Sequence, residues 1–193
     1  AGKSSRFMTP PTRGYSLMRK AVLELALTQD FVRPFADPRQ VQPWIYDDSP
    51  LTSADPPTDG FAAGPLPGAP LHNLRLGEDD FLLDHLGAGF SVIYFAGHPA
   101  LDRQLDELGN ALRRQDPRLR ILVVGGTGGE VAWGDEQLPD PGEHVSTACG
   151  AQPGALYLVR PDRHVAGRWR QPAQATVTAA LQRALGEPHE ADA

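Results

Sequence analysis

Cysteine is almost missing, since the 193 residues contain only Cys149. One thiol closes no intrachain disulfide and cannot run dithiol exchange within a single chain, which removes much redox chemistry. Long hydrophobic runs are missing too. The longest, from Phe90 to Gly97, is far short of the ~20 apolar residues a helix needs to cross a bilayer. Ala1 to Pro11 carries basic residues with no apolar stretch behind them, so it is no secretory signal. A soluble, cytoplasmic chain is the expectation. A basic excess is also lacking. The formal net charge is -6 and the arginines are scattered, which argues against a phosphate-binding nucleic-acid face.

Chemical motifs are equally sparse. His72, His85, His98, His144, His164 and His189 are too dispersed for ligand spacing, and neither an H-E-x-x-H nor a Cys/His cluster occurs, so no metal is expected. The run Gly125-Gly126-Thr127-Gly128-Gly129 follows a strand-like segment, where a phosphate loop would sit. Glu130 and Val131 stand where that loop needs Lys and Ser/Thr, and the third glycine of the dinucleotide fingerprint is absent. The run reads as a strand-end loop. Ser49 in Asp47-Asp48-Ser49-Pro50 has no elbow glycines and reads as a turn rather than a nucleophile.

What is present is an ordinary globular composition, 40% hydrophobic and 22% charged, of a size for one domain plus attachments. Leu17, Met18, Val22, Leu25 and Ala26 recur at helical spacing between Tyr15 and Leu27, with Phe31, Val32 and Phe35 adding at most a short turn before Pro34, Pro38 and Pro43 break the pattern. Residues 43–70, rich in proline and glycine, show no periodicity and read as an extended strap. Beyond them the pattern turns regular. Leu71 to Leu76 alternates like a short strand, and Asp79 to Leu86 resembles a short helix closed by Gly87. Phe90 to Phe95 is a continuous run suited to a strand buried on both faces. Leu101, Leu105, Leu108 and Leu112 line one face of a helix from Pro99 to Arg114, and Leu119 to Val124 is the next strand. Strand, helix and strand make a right-handed crossover and a parallel pair. Leu156 to Val159 and His164 to Trp169 flank the turn Arg160-Pro161-Asp162-Arg163, an antiparallel hairpin, and a helix over Ala173 to Leu185 closes the chain.

This order, β-α-β followed by a hairpin and a helix, is that of the thioredoxin core, so the expected fold class is α/β: a thioredoxin-like domain without C-x-x-C, preceded by a helix and a long Pro-rich connector. The divisions are 1–42, an N-terminal helix; 43–70, the connector; 71–187, the thioredoxin-like domain; and 188–193, a tail. The redox position, after the central strand, holds Ala96-Gly97-His98-Pro99-Ala100, with neither cysteine. His98 beside a proline at a helix start reads as a surface or capping residue. The fold's cis-proline belongs near Ala155, and Pro153 lies two residues early. Cys149, between Ala148 and Gly150, reads as a small buried residue.

Leu158-Val159-Arg160-Pro161-Asp162, then His164-Val165-Ala166 and Arg168-Trp169, resembles the signature that ends FAD-dependent aromatic-ring hydroxylases of the phenol hydroxylase and 3-(3-hydroxyphenyl)propionate hydroxylase type. Phe31-Val32-Arg33-Pro34, Pro38-Arg39-Gln40 and Tyr46-Asp47-Asp48-Ser49-Pro50-Leu51 resemble the family's connector between catalytic body and third domain. Asp84-His85-Leu86-Gly87 with Gly89-Phe90 resembles its approach to the central strand. The family's G-x-G-x-x-G fingerprint and its later Gly-Asp flavin motif have no counterpart here, Gly134-Asp135 lacking the surrounding pattern. The resemblance therefore implies a C-terminal piece of such an enzyme, with 1–42 as the N-terminal helix and the tail of the catalytic body, and without residues of its own for catalysis, cofactor or metal. FAD and NAD(P)H are implied for the parent. The implied partners are the catalytic FAD domain and a second copy in a homodimer, with neither nucleic acid nor membrane. In the hairpin turn the resemblance leaves Arg160 and Asp162 structural roles, and Arg163 stands where the family has Gly. The chain opens on Ala1 rather than methionine, compatible with initiator removal or with a cut from a longer polypeptide. Two rival readings are a single-cysteine thiol enzyme using Cys149 and a free-standing thioredoxin-like binding module.

Overall fold

The computed structural model describes residues 6–36, 43–55, 60–98, 105–126 and 133–186. It divides into two compact units, 1–43 and 44–193. In the first, α1 (Arg13–Ala26) begins where the Thr12 side chain accepts the Tyr15 N–H, which satisfies one of the free donors of the first turn. A 3-10 turn, Asp30–Val32, leads into α2 (Arg33–Ala36). Pro34, expected to break regular structure, instead lies in the first turn of α2. There a missing N–H has no partner to lose. The stripe on α1 is open, with Leu17 60% and Leu25 50% exposed. None of the residues of α1 is buried.

The second unit is a five-stranded mixed sheet. Its strands are β1 (Ser91–Phe95), β2 (Arg120–Val124), β3 (Glu136–Leu138), β4 (Leu156–Val159) and β5 (Val165–Trp169), in the order β3-β2-β1-β4-β5. β1 and β2 are parallel, as are β2 and β3, whereas β4 runs antiparallel to β1 and β5. Among the described residues three α-helices accompany it: α3 (Asp106–Gln115), α4 (His144–Cys149) and α5 (Gln174–Ala184). Side chains alternate across a strand, so Val92 and Tyr94 cluster with Leu108, Leu112, Val177 and Leu181, and Ile93 and Phe95 with Leu71, Leu82 and Val145. All of β1 is buried, which explains its unbroken apolar run.

The sequence expectation of the crossover, the hairpin and the closing helix matches these elements within one or two residues. The part of the predicted helix over 99–104 lies outside the described residues, and α3 runs from Asp106. Two expected elements are corrected. Leu71 to Leu76 forms no strand: Pro70 bridges His164 and Arg75 bridges Phe81, both as isolated pairs. Asp79 to Leu86 forms only the 3-10 turn Leu82–Asp84, because the Leu82 N–H donates across the loop to Leu74 O at 2.8 Å instead of along a helix. Two elements were not anticipated, β3 and α4. Three residues of strand are too few to show alternation, and six of helix too few to show a stripe.

The connector has neither helix nor strand in its described residues, 43–55 and 60–70, yet its backbone is bonded to the sheet. Ser53 N donates to Ala166 O at 2.7 Å, Gly68 N to Val165 O at 2.8 Å, and Val165 N to Ala69 O at 2.9 Å. These bonds occupy the outer edge of β5, which would otherwise offer open backbone to another chain. The strap also crosses the end of α4 at backbone contact. A Cβ on Gly150, where φ is +59°, would lie 2.5 Å from Ala63 O, so only glycine allows the crossing.

Candidate functional site

The sheet places Ala96, Gly97 and His98 directly after β1, beside the end of β2. His98 is exposed. Gly125 and Gly126 follow β2 with φ of 75° and 84°, and 127–129 of the glycine-rich run lie outside the described residues. Among the described residues every peptide bond is trans, including the one before Pro153. Among them no group of three His, Cys, Asp or Glu side chains is arranged for a metal ion, and no helix is long and apolar enough to cross a membrane.

Cys149 ends α4 and is 1% exposed. Burial pushes its thiol up to about 12, with the Asp140 charge adding and Arg168 opposing. A thiol kept protonated at neutral pH is a poor nucleophile, so the residue packs rather than reacts.

Among the described residues, the most heavily bonded charged group is one the sequence reading passed over as part of a signature. Arg168, on β5, is 3% exposed. Its Nε donates to Asp55 Oδ1 at 2.9 Å and its Nη2 to Asp55 Oδ2 at 2.6 Å, a two-pronged pairing that suits the planar guanidinium. Nη1 donates to Ala63 O at 3.1 Å and to the Tyr157 hydroxyl at 3.3 Å. The Tyr157 hydroxyl in turn donates to Cys149 O at 2.6 Å, and the Phe61 ring lies 4.4 Å from the guanidinium carbon. Burial would lower the Arg168 value, but the bonds to Asp55 and Tyr157 outweigh it and hold it raised. Burial pushes the Tyr157 hydroxyl up to about 12 against the opposing bond from Arg168. One arginine thus ties the connector, the hairpin and α4 together. The signal in the sequence was a charged residue at an inward position of an otherwise buried strand.

The hairpin turn has the roles assigned to it. Asp162 Oδ1 accepts the His164 N–H at 3.2 Å, and Arg160 Nη2 pairs with Asp162 Oδ2 at 2.6 Å. Burial would raise the Asp162 carboxyl, but these partners hold it below its ordinary value. Arg163 keeps the left-handed backbone natural to glycine, with φ of 69°, and its side chain donates to Leu83 O at 2.8 Å. Ser49 Oγ accepts the Leu51 N–H at 3.2 Å, a local turn as expected.

A second charged cluster was invisible in sequence because its members lie far apart in the chain. His85 Nε2 is 2.6 Å from Asp80 Oδ1, and Nδ1 is 2.9 Å from Glu136 Oε1 on β3. Arg120 Nη2 reaches the other Glu136 oxygen at 2.5 Å. Ionised carboxylates only accept, so the protonated ring, donating from both nitrogens, is the form that satisfies both contacts. Burial would push His85 down, but the hydrogen bonds and charges of Asp80 and Glu136 hold it above its ordinary value.

The fold is shared with segments of much larger flavin enzymes. Over 94% of this chain, a flavin-dependent monooxygenase, PieE, solved with FAD and substrate, superposes with a TM-score of 0.57 at 21% identity. RebC-10x, a form of the rebeccamycin biosynthetic enzyme RebC, native and bound to K252c, covers 94% with a TM-score of 0.55 at 18% identity. Aklavinone-11 hydroxylase, solved with FAD and aklavinone, covers 88% with a TM-score of 0.56 at 22% identity. The chain spans only 31%, 30% and 34% of those three proteins respectively. No protein-family model and no curated protein sequence matches it.

Proposed function

We propose that this chain is a non-catalytic, thioredoxin-like C-terminal domain of an FAD-dependent aromatic-compound monooxygenase, serving association and cover of the catalytic body. The observation that carries the reading is the asymmetry of the match, nearly the whole of this chain against about a third of each flavin enzyme. The hydroxylase-like signature supports it from the sequence side, now with a physical content: its Arg168 bolts the connector to the sheet. In the parent, FAD and NAD(P)H would supply the redox chemistry on residues outside this chain.

Association is supported by apolar surface that the chain leaves open. Leu17 and Leu25 on α1 are exposed, and in the sheet unit Trp44 is 72% exposed. Covering a large apolar side chain is worth roughly 1.5–3 kcal/mol. The decisive experiment is to read the gene upstream of Ala1: one continuous frame encoding G-x-G-x-x-G supports the parentage, and a stop codon in that frame sinks it. For the surface itself, Leu17→Asp with Val22→Asp is expected to abolish self-association by light scattering while the urea midpoint of the sheet unit holds. An unchanged mass distribution would leave α1 without a role in association.

A further inference from the structure

The loop between the connector and β1 ends in a tip, 75–81, that is closed on itself. Arg75 and Phe81 form an isolated antiparallel bridge, and the Leu76 and Gly77 N–H groups donate to Asp80 O at 2.8 and 3.3 Å. The Arg75 side chain donates to Gly77 O at 2.6 Å and also to Glu78 O. Below the tip the loop is anchored. Leu82 and Leu86 are buried, Leu82 N donates to Leu74 O at 2.8 Å, and Leu83 N donates to Asn73 Oδ1 at 3.2 Å. Of the tip's own side chains, Leu76 packs on the core, and only in part. Arg75, Leu76 and Gly77 form one wall of a cleft of about 300 Å³, with Pro139, Pro141 and His144 on the other. A self-contained turn that buries so little apolar surface opens locally at low cost.

A charge holds the tip down. Asp80 Oδ1 lies 2.6 Å from His85 Nε2, and His85 Nδ1 lies 2.9 Å from Glu136 Oε1 on β3. Behind Glu136, Arg120 on β2 takes the other carboxylate oxygen, while Asp84, next to His85 in the chain, is exposed. Across the cleft the tip faces His144 and the Asp140 carboxyl group. A neutral imidazole has one N–H and can serve only one carboxylate. The Asp80 side chain is 47% exposed and makes no other ion pair among the described residues, whereas that of Glu136 is 30% exposed and also holds Arg120. Water replaces the ring at lower cost at the more exposed carboxylate, so Glu136 keeps the remaining N–H and Asp80 is let go.

We propose that residues 75–81 form a pH-released flap: protonated His85, seated on Glu136, latches the tip through Asp80, and loss of the ring proton lets the tip swing away from Pro139, Pro141 and His144. The flap is closed on the acid side. It opens as pH rises through the folded value of His85, which burial would lower and which the bonds and charges of Asp80 and Glu136 hold raised. The latch needs no flavin and stands apart from the accessory-domain reading. The test places a nitroxide on the full chain at Glu78→Cys, an exposed tip position, Cys149 being buried. Its broadening of the Val145 and Ser146 amides is followed by NMR from about pH 5 to about pH 9, together with the His85 ring signals. The broadening is expected to fall in one step at the midpoint of the ring. In His85→Gln the step is expected to vanish, with the broadening low throughout. In Asp80→Asn, which takes one carboxylate from the ring, the step and the ring midpoint are expected to move together to lower pH. Constant broadening while the ring titrates, a step away from the ring midpoint, a step kept in His85→Gln, which would assign it to His144, or an Asp80→Asn step at the native pH each overturns the proposal.

Discussion

Replacing Arg168 by methionine keeps most of the aliphatic length and removes the guanidinium. The change leaves Asp55 facing the protein without its cation, and strands Ala63 O and the Tyr157 hydroxyl without their donor. Breaking one partner out of a buried pair costs about 3–5 kcal/mol. Asp55 retains partial access to water, its side chain being 26% exposed, which places the expectation at the lower end, near 3 kcal/mol. Loss of the Phe61 contact adds about 0.5–1 kcal/mol. For a domain of this size each kcal/mol lowers Tm by roughly 2–4 °C, so Arg168→Met should melt roughly 6–16 °C early. Trp133 and Trp169, both in the core, report urea unfolding by fluorescence. Hydrogen exchange locates the effect: the Ser53 and Gly68 amides, bonded to β5, should lose protection in the variant, with Val92 and Leu122 less affected. A double-mutant cycle with Asp55→Ala should show coupling of about 1.5–3 kcal/mol. Should Arg168→Met unfold within about 0.5 kcal/mol of the native chain, with Ser53 and Gly68 still protected, the connector is held by its backbone alone and the bolt is idle.

Three further outcomes follow from named contacts. Because the folded value of His85 is raised, its stabilisation is complete below the ordinary imidazole value of ~6.5 and is lost as pH rises through the raised folded value. The urea midpoint should fall across that window and His85→Gln should flatten it, whereas an equal fall in the variant would assign the pH dependence to another group. Cys149 should resist iodoacetamide at pH 8 until the chain is unfolded by urea, since its thiol is buried and pushed to about 12; rapid labelling of the native chain would revive the thiol-enzyme reading. At Arg163, glycine relieves left-handed strain of roughly 1 kcal/mol while losing the bond to Leu83 O, and alanine loses the same bond and keeps the strain. Arg163→Gly should therefore unfold at higher urea than Arg163→Ala by about 1 kcal/mol, and the reverse order would discredit the backbone argument.

The local parts of this protein were legible in its sequence. The buried run at β1, the crossover into β2, the β4–β5 hairpin and the final helix follow from periodicity and turn chemistry, because each is dictated by neighbours a few residues apart. The Asp162 and Ser49 turn contacts were legible for the same reason. Tertiary structure alone decided the rest. Leu71–Leu76 alternates like a strand, but the Leu71 N–H is taken by Arg163 O and the segment makes only isolated bridges. β3 exists because β2 offers it a parallel edge, not because Glu136–Leu138 has strand character of its own. Arg168 meets Asp55 across 113 residues and His85 meets Glu136 across 51, separations at which spacing carries no signal. Sequence patterns report which face of an element is apolar; which distant charge that face meets is settled only when the chain closes and burial makes an unpaired group costly.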